Sequence, residues 1–165
     1  MPGEQSSGAL AASSPPPQGR RESPGSGRGE LQEVRMLIEV EAAQMVAQRR
    51  TDDDLAAVEA ALAKRRDAAK AGHAEFVDAD IALHAAVVAA AHNPVLTALF
   101  GEFVPVLRQG LIDLGELLDL RTEDPNHGDE GHALLVEAIA RADAEAAGRT
   151  LREELRQTLD RLHAV

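Results

Sequence analysis

The stretch from Ala74 to Ala91 contains neither Gly nor Pro, and it is built largely of alanine, the residue that costs least to place in a helix. Within it, Asp80-Ile81-Ala82-Leu83-His84 sets a carboxylate and an imidazole four residues apart. Four residues make just over one helical turn, so the two side chains project from the same face, one above the other. Three and four residues from His84 lie Ile81, Asp80, Val87 and Val88, and seven away lie Val77 and Ala91. An acid and an imidazole thus sit in the middle of an apolar stripe. Burying either is costly unless something pairs with it, and a divalent metal is one such partner.

The rest of the composition favours helix as well. Hydrophobic residues make up 44% of the chain, filled mainly by Ala and Leu, while aromatics are 2%: Phe76, Phe100 and Phe103, with no Trp or Tyr. Runs of β-branched or aromatic residues are scarce, so the expected class is all-α. A length of 165 residues suits one domain with a sizeable core. With no Cys there is no disulfide and no thiolate site, which fits a cytoplasmic setting and leaves His and carboxylates as the available metal ligands. The formal charge of −11 argues against direct binding to nucleic acid or to an anionic membrane. No apolar run is read as approaching the ~18 residues of a membrane span, and no signal pattern opens the chain.

In chain order, residues 1–30 are rich in Ser, Pro and Gly and are expected to be a disordered tail. The domain is expected over 31–163. A first helix from about Leu31 to Gln48 carries Val34, Ile38, Ala42, Met45 and Val46 inward. Thr51-Asp52-Asp53-Asp54 reads as a capping box opening a second helix, with Leu55, Val58 and Leu62 inward and Lys64, Arg65, Arg66 and Asp67 on a polar face. Gly72 ends it. The third helix, with Asp80 and His84, stops near His92. Asn93-Pro94 opens the fourth, with Leu96, Leu99, Phe100, Phe103, Leu107, Leu111 and Leu114 inward and a kink at Pro105. Arg121 to Glu130 reads as a loop. Helices from about Glu130 to Ala140 and from Asp143 to His163 complete an antiparallel bundle of about six.

The last two helices form a hairpin about Arg141–Ala142, so heights along its arms can be compared. His132 lies about 15 Å down one arm and Glu154 about 16.5 Å down the other, by the rise per residue. His132 shares a face with Leu135 and Ile139 and so points inward. Glu154 lies on the flank of the stripe Leu151, Leu155, Leu159 and Leu162, from which it can reach the centre without being forced there.

Several motifs in this order resemble a known family: Arg35-x3-Glu39, Asp80-x2-Leu83-His84, Asn93-Pro94-Val95-Leu96, and His132 followed by Ala138-Ile139 and Asp143. Over roughly Leu31 to Leu162 the chain resembles the FCD domain, the C-terminal effector domain of the FadR subfamily of GntR transcription regulators. The resemblance implies an all-helical fold, homodimers, and a divalent cation held by an Asp and three His, with a small carboxylate effector completing its coordination. Asp80, His84 and His132 match directly. The fourth position falls on Glu154, where the family usually has His, and Leu83 stands where Phe is common. A Glu ligand makes the site harder, which directs the choice to Zn first, with Mn, Ni or Mg as alternatives. The family also carries a winged helix-turn-helix before this domain. Residues 1–30 offer nothing able to form a recognition helix, so the expectation is a chain without its own DNA-reading head.

Blander readings stand beside these. The four candidate ligands can form a metal-free hydrogen-bonded network, and Glu154 a solvated flank. Arg35 and Arg108 are candidate effector-binding residues, since guanidinium holds a carboxylate bidentately. Against that, Arg35 can make an ordinary i, i+4 pair with Glu39, and Arg108 can sit on a solvated face. His73, His92, His127 and His163 fall at helix ends or in loops, where exposure is expected. The function read from the residues and the resemblance together is effector sensing for transcription control, not catalysis. Its rivals are a metal-dependent helical-bundle enzyme and a metal-free dimerisation or adaptor module.

Overall fold

A computed structural model describes residues 26–164, and residues 1–25 of the tail expected over 1–30 lie outside them. Among the described residues there are seven helices and no strand: α1 (Ser26–Arg49), α2 (Asp52–Ala68), α3 (His73–Ala90), α4 (Pro94–Leu118), α5 (Leu120–Glu123), α6 (Asp129–Ala140) and α7 (Ala144–His163). The seventh element is the single turn α5, inside the segment read as loop. The first helix starts at Ser26 rather than near Leu31, with Gly29 close enough to α7 that a Cβ there would meet Leu159. Packing against α7 holds this Gly-containing turn, which has little helix propensity of its own.

Local chemistry sets the helix starts. The Thr51 hydroxyl accepts from the Asp54 amide while the Asp54 carboxylate accepts from the Thr51 amide, a complete capping box. The Asn93 side chain caps α4 through the Leu96 amide with Pro94 in the first turn, and Asp143 caps α7 through the Ala146 amide. Gly72 starts α3 rather than ending α2. Non-glycine residues at positive φ, His92, Asp119 and Ala142, mark the sharp junctions α3–α4, α4–α5 and α6–α7.

α2 packs on α3, α3 on α4 and α6 on α7. Gly148 of α7 meets Gln44 of α1 while Gly29 meets Leu159, so α1 and α7 run antiparallel, and they form the largest helix pair. Leu31 fills the space over Gly110 on α4, where a Cβ would come within 2.3 Å of it. The core gathers Ala42, Val46, Leu83, Leu107, Ile139 and Leu151, all buried.

Two expectations about faces need correction. Val34 is 37% exposed and Leu99 is 54% exposed. The buried stripe of α1 passes through Gln32, Arg35 and Glu39 instead, polar residues that a hydrophobic pattern skips. On α4 the inward positions recur every seven residues at Phe100, Leu107 and Leu114, and Leu99, turned by about 100° from Phe100, faces out. α4 is also long and apolar enough to cross a membrane by length and composition, unlike the expectation of no such run; its inward face packs in the bundle on α3 and α1. The helix continues through Pro105.

Candidate metal centre

Five helices converge on one buried cluster. α3 supplies Asp80 and His84, α6 supplies His132, α7 supplies Glu154, α1 supplies Arg35 and Glu39, and α2 supplies Arg65. His84 Nε2 and His132 Nε2 stand 3.0 Å apart. His132 Nε2 is 3.3 Å from Asp80 Oδ1 and 3.2 Å from Glu154 Oε1, and His84 Nε2 is 3.9 Å from Asp80 Oδ2. One donor atom each from Asp80, His84 and His132 lie within 4.8 Å of one another. For comparison, two ligands on a tetrahedral ion with bonds of about 2.1 Å are separated by about 3.4 Å. The donor set is therefore spaced for a single divalent ion.

The outer ring nitrogens fix what the inner ones offer. His132 Nδ1 lies 2.6 Å from the Gly128 carbonyl, which can only accept, so Nδ1 carries hydrogen and Nε2 turns a lone pair inward. His84 Nδ1 lies 2.6 Å from Glu39 Oε2, off the line of an ideal hydrogen bond but beside a group that can only accept while ionised. Glu39 is in turn held by Arg35, whose Nε is 2.8 Å from Oε1. Burial would raise the Glu39 carboxyl, but Arg35 and His84 outweigh it and hold it at about 2. This carboxylate–imidazole arrangement is the support that metal-bound histidines ordinarily have.

Two inward lone pairs at this distance repel unless a metal ion or a hydrogen lies between them. Without a metal, a hydrogen on one of the two rings fills that role. Burial disfavours the charge on His84, yet Glu39 more than offsets it and raises its pKa, whereas burial drives His132 down to about 3. Glu39 beside His84 thus favours a proton on that ring over one on His132. Asp80 is held well below the usual carboxylate range, since His132, His84 and Arg65 outweigh the cost of its burial.

Glu154 reaches the cluster from the flank of α7. Burial pushes its carboxyl up to about 7, and its Oε2 is buried without a hydrogen-bond partner. Gly131 on α6 makes the approach possible, because a Cβ there would come within 2.9 Å of that oxygen. Arg35 is buried, lines the adjoining cavity and brings Nη2 to 3.3 Å from His84 Nε2, while also pairing with Glu39.

Arg108 is elsewhere. It pairs with Asp78 at 2.6 Å and 3.0 Å on an exposed face of α3 and α4, away from the cavity, because position 108 lies about 100° round the helix from the buried Leu107. His92 and His163 are exposed, but His73 and His127 are half-buried and line the cavity.

Three buried polar residues escaped a reading by hydrophobic pattern. Arg65, assigned there to a polar face, is 2% exposed: Nε donates to Asp80 Oδ1 at 2.6 Å, Nη1 to Asn126 Oδ1 at 3.2 Å and Nη2 to the His127 carbonyl, and the guanidinium lies 4.5 Å from the Phe76 ring centre. Glu39 was visible only as a partner for Arg35. Gln32 is fully buried with both amide atoms unpartnered. The sequence signal for the two on α1 is polarity at positions three, four and seven apart, at Gln32, Arg35 and Glu39.

Beside the cluster lies a cavity of about 80 Å³, with Phe76, Val77, Leu111 and Leu114 on its apolar side. A water needs roughly 10–15 Å³ of such space, so there is room for a few water-sized groups. A broader groove between α6 and α7 meets the cavity at His127, Gly128, Glu154 and Thr158.

Residues 30–157 match the family model of the FCD domain. The chain belongs to the FCD domain family of GntR transcription regulators. It is 42% identical over 69 residues to the galactonate operon transcriptional repressor of Escherichia coli (strain K12), a match covering 42% of this chain and 30% of that protein. Two solved structures share the fold. The Streptococcus agalactiae GntR structure has a TM-score of 0.66 at 23% identity, covering 84% of this chain and 61% of that one. The E. coli McbR/YncC structure has a TM-score of 0.62 at 22% identity, covering 82% and 67%. The chain thus spans from under a third to about two thirds of the length of these relatives.

Proposed function

We propose that this FCD domain senses a small organic acid at a divalent metal held by Asp80, His84, His132 and Glu154, in the service of transcription control. One observation carries the reading. His132 Nδ1 is hydrogen-bonded to the Gly128 carbonyl and His84 Nδ1 lies against Glu39, while the two Nε2 atoms stand 3.0 Å apart beside Asp80, with Glu154 reaching His132 Nε2 from α7. Zn suits this small N/O set best, with Mn, Ni or Mg as alternatives. When bound, the ion supplies Lewis-acid attraction for a carboxylate oxygen. Arg35 gives that carboxylate a guanidinium at the edge of the cavity, and Phe76 and Leu114 give the remainder an apolar wall that excludes water.

The role is that of a sensor rather than an enzyme, acting as a homodimer in the cytoplasm, with DNA read by the wider regulator assembly. The E. coli relative is named for the operon of a sugar acid, which supports an organic acid as effector. The test is elemental mass spectrometry on purified protein, with thermal shift against small carboxylates. About one metal per chain, absent from correctly folded His84→Ala and His132→Ala variants, is the expected result. A protein that takes up no metal at any loading overturns the coordination reading.

A further inference from the structure

The buried charges around the cluster can be counted. Arg35 and Arg65 are cations, and both are nearly fully buried; Glu39 and Asp80 are their anionic partners at 2.8 Å and 2.6 Å. These four cancel in two pairs. Resting on the reading above, a dication coordinated by Glu154 then leaves one positive charge over. In a buried site an unmatched charge is far more costly than at the surface, because little solvent screens it. Arg121 also lines the cavity, but it is half-buried and its guanidinium donates to the Ala69 and Ala71 carbonyls at the end of α2, where the helix dipole is negative. Its charge is already answered.

We propose that Arg65 and Glu154 together set the charge of the effector, so that the metal-loaded site accepts a monocarboxylate and rejects a dicarboxylate of the same length. Arg65 matters because it neutralises Asp80. Without it, the dication and its two carboxylate ligands would leave no surplus to attract an anion. Glu154 matters in the opposite sense, because a neutral residue there would leave two positive charges and favour a dianion. The shape of the cavity agrees. Beyond the donor cluster its wall joins the apolar Val77, Leu111 and Leu114 to His73, His127 and Thr158, of which His73 is taken up by the Ile112 carbonyl and Thr158 by the Glu154 carbonyl.

The test is isothermal titration calorimetry of the full chain, loaded with zinc and assayed for metal content, against butyrate and succinate. The two acids have the same chain length and differ by a methyl in place of a carboxylate. Succinate is the better zinc chelator in water, so a preference for butyrate cannot come from the metal alone. Butyrate binding about tenfold or more tighter than succinate is the expected result. Glu154→Gln at saturating zinc should reverse the preference, and Arg65→Met should weaken butyrate. Equal binding, succinate preference or no binding of either acid by metal-loaded wild type overturns the inference and leaves the metal reading standing. Absence of bound zinc overturns both. The wild-type comparison decides the matter even if a variant fails to fold.

Discussion

His84 Nε2 and His132 Nε2 approach to 3.0 Å although 48 residues separate them in the chain. A metal ion and a proton compete for the same pair of lone pairs. Metal affinity should therefore weaken as pH falls and the proton is retained. The support for this pair, rather than the pair itself, yields the most discriminating variants.

Glu39→Gln keeps the size of the residue that faces His84 Nδ1 but removes its charge. We expect roughly 10–100-fold weaker metal binding, the usual consequence of losing a carboxylate behind a ligating histidine. Competition with a chromogenic chelator measures it. Affinity equal to wild type would show that Glu39 serves only to pair with Arg35.

Arg65→Met leaves the largely buried Asp80 carboxylate without its 2.6 Å partner. Breaking a buried pair from one side costs roughly 3–5 kcal/mol. For a domain of this size that is a fall of roughly ten degrees in Tm, read by calorimetry on metal-free protein. Zinc should restore part of the loss, since the ion answers the stranded charge.

Glu154→His exchanges an oxygen donor for a nitrogen donor at the edge of the cluster. Relative affinity should move toward Ni and Cu and away from Mn and Mg. Competitive metal titrations would reveal the change, and an unaltered order of affinities would mean that Glu154 does not coordinate.

The stability of the metal-free protein should bend in two places with pH. Glu154 has its folded pKa raised from 4.5 to about 7, so the stability it contributes is complete below pH 4.5 and lost as pH rises through about 7. Glu39 has its pKa lowered from 4.5 to about 2, so its contribution is complete above pH 4.5 and lost as pH falls toward 2. Calorimetry between pH 2 and 8 tests both limbs. Glu154→Gln should abolish the upper one, and excess zinc should reverse it by binding the ionised carboxylate.

Much of this molecule was legible in one dimension. Alanine-rich periodicity, the Thr51/Asp54 box, the Asn93-Pro94 start and the Asp143 cap are local signals, and each determines a helix by chemistry within one turn. Asp80 and His84 share a face for the same local reason, and the hairpin about Arg141–Ala142 brings His132 and Glu154 to similar heights. What the tertiary structure alone decided is where polar side chains could be buried. Arg65 looks like any surface cation until α3 and the segment before α6 close over it with Asp80, Asn126 and the His127 carbonyl. Glu154 turns inward because Gly131, on another helix, leaves it room. Arg108, on the outer face of α4, finds Asp78 of α3 at the surface. Hydrophobic period reveals which face of a helix is buried. The partner that makes a buried charge tolerable comes from elsewhere in the chain, and only the packing of the helices supplies it.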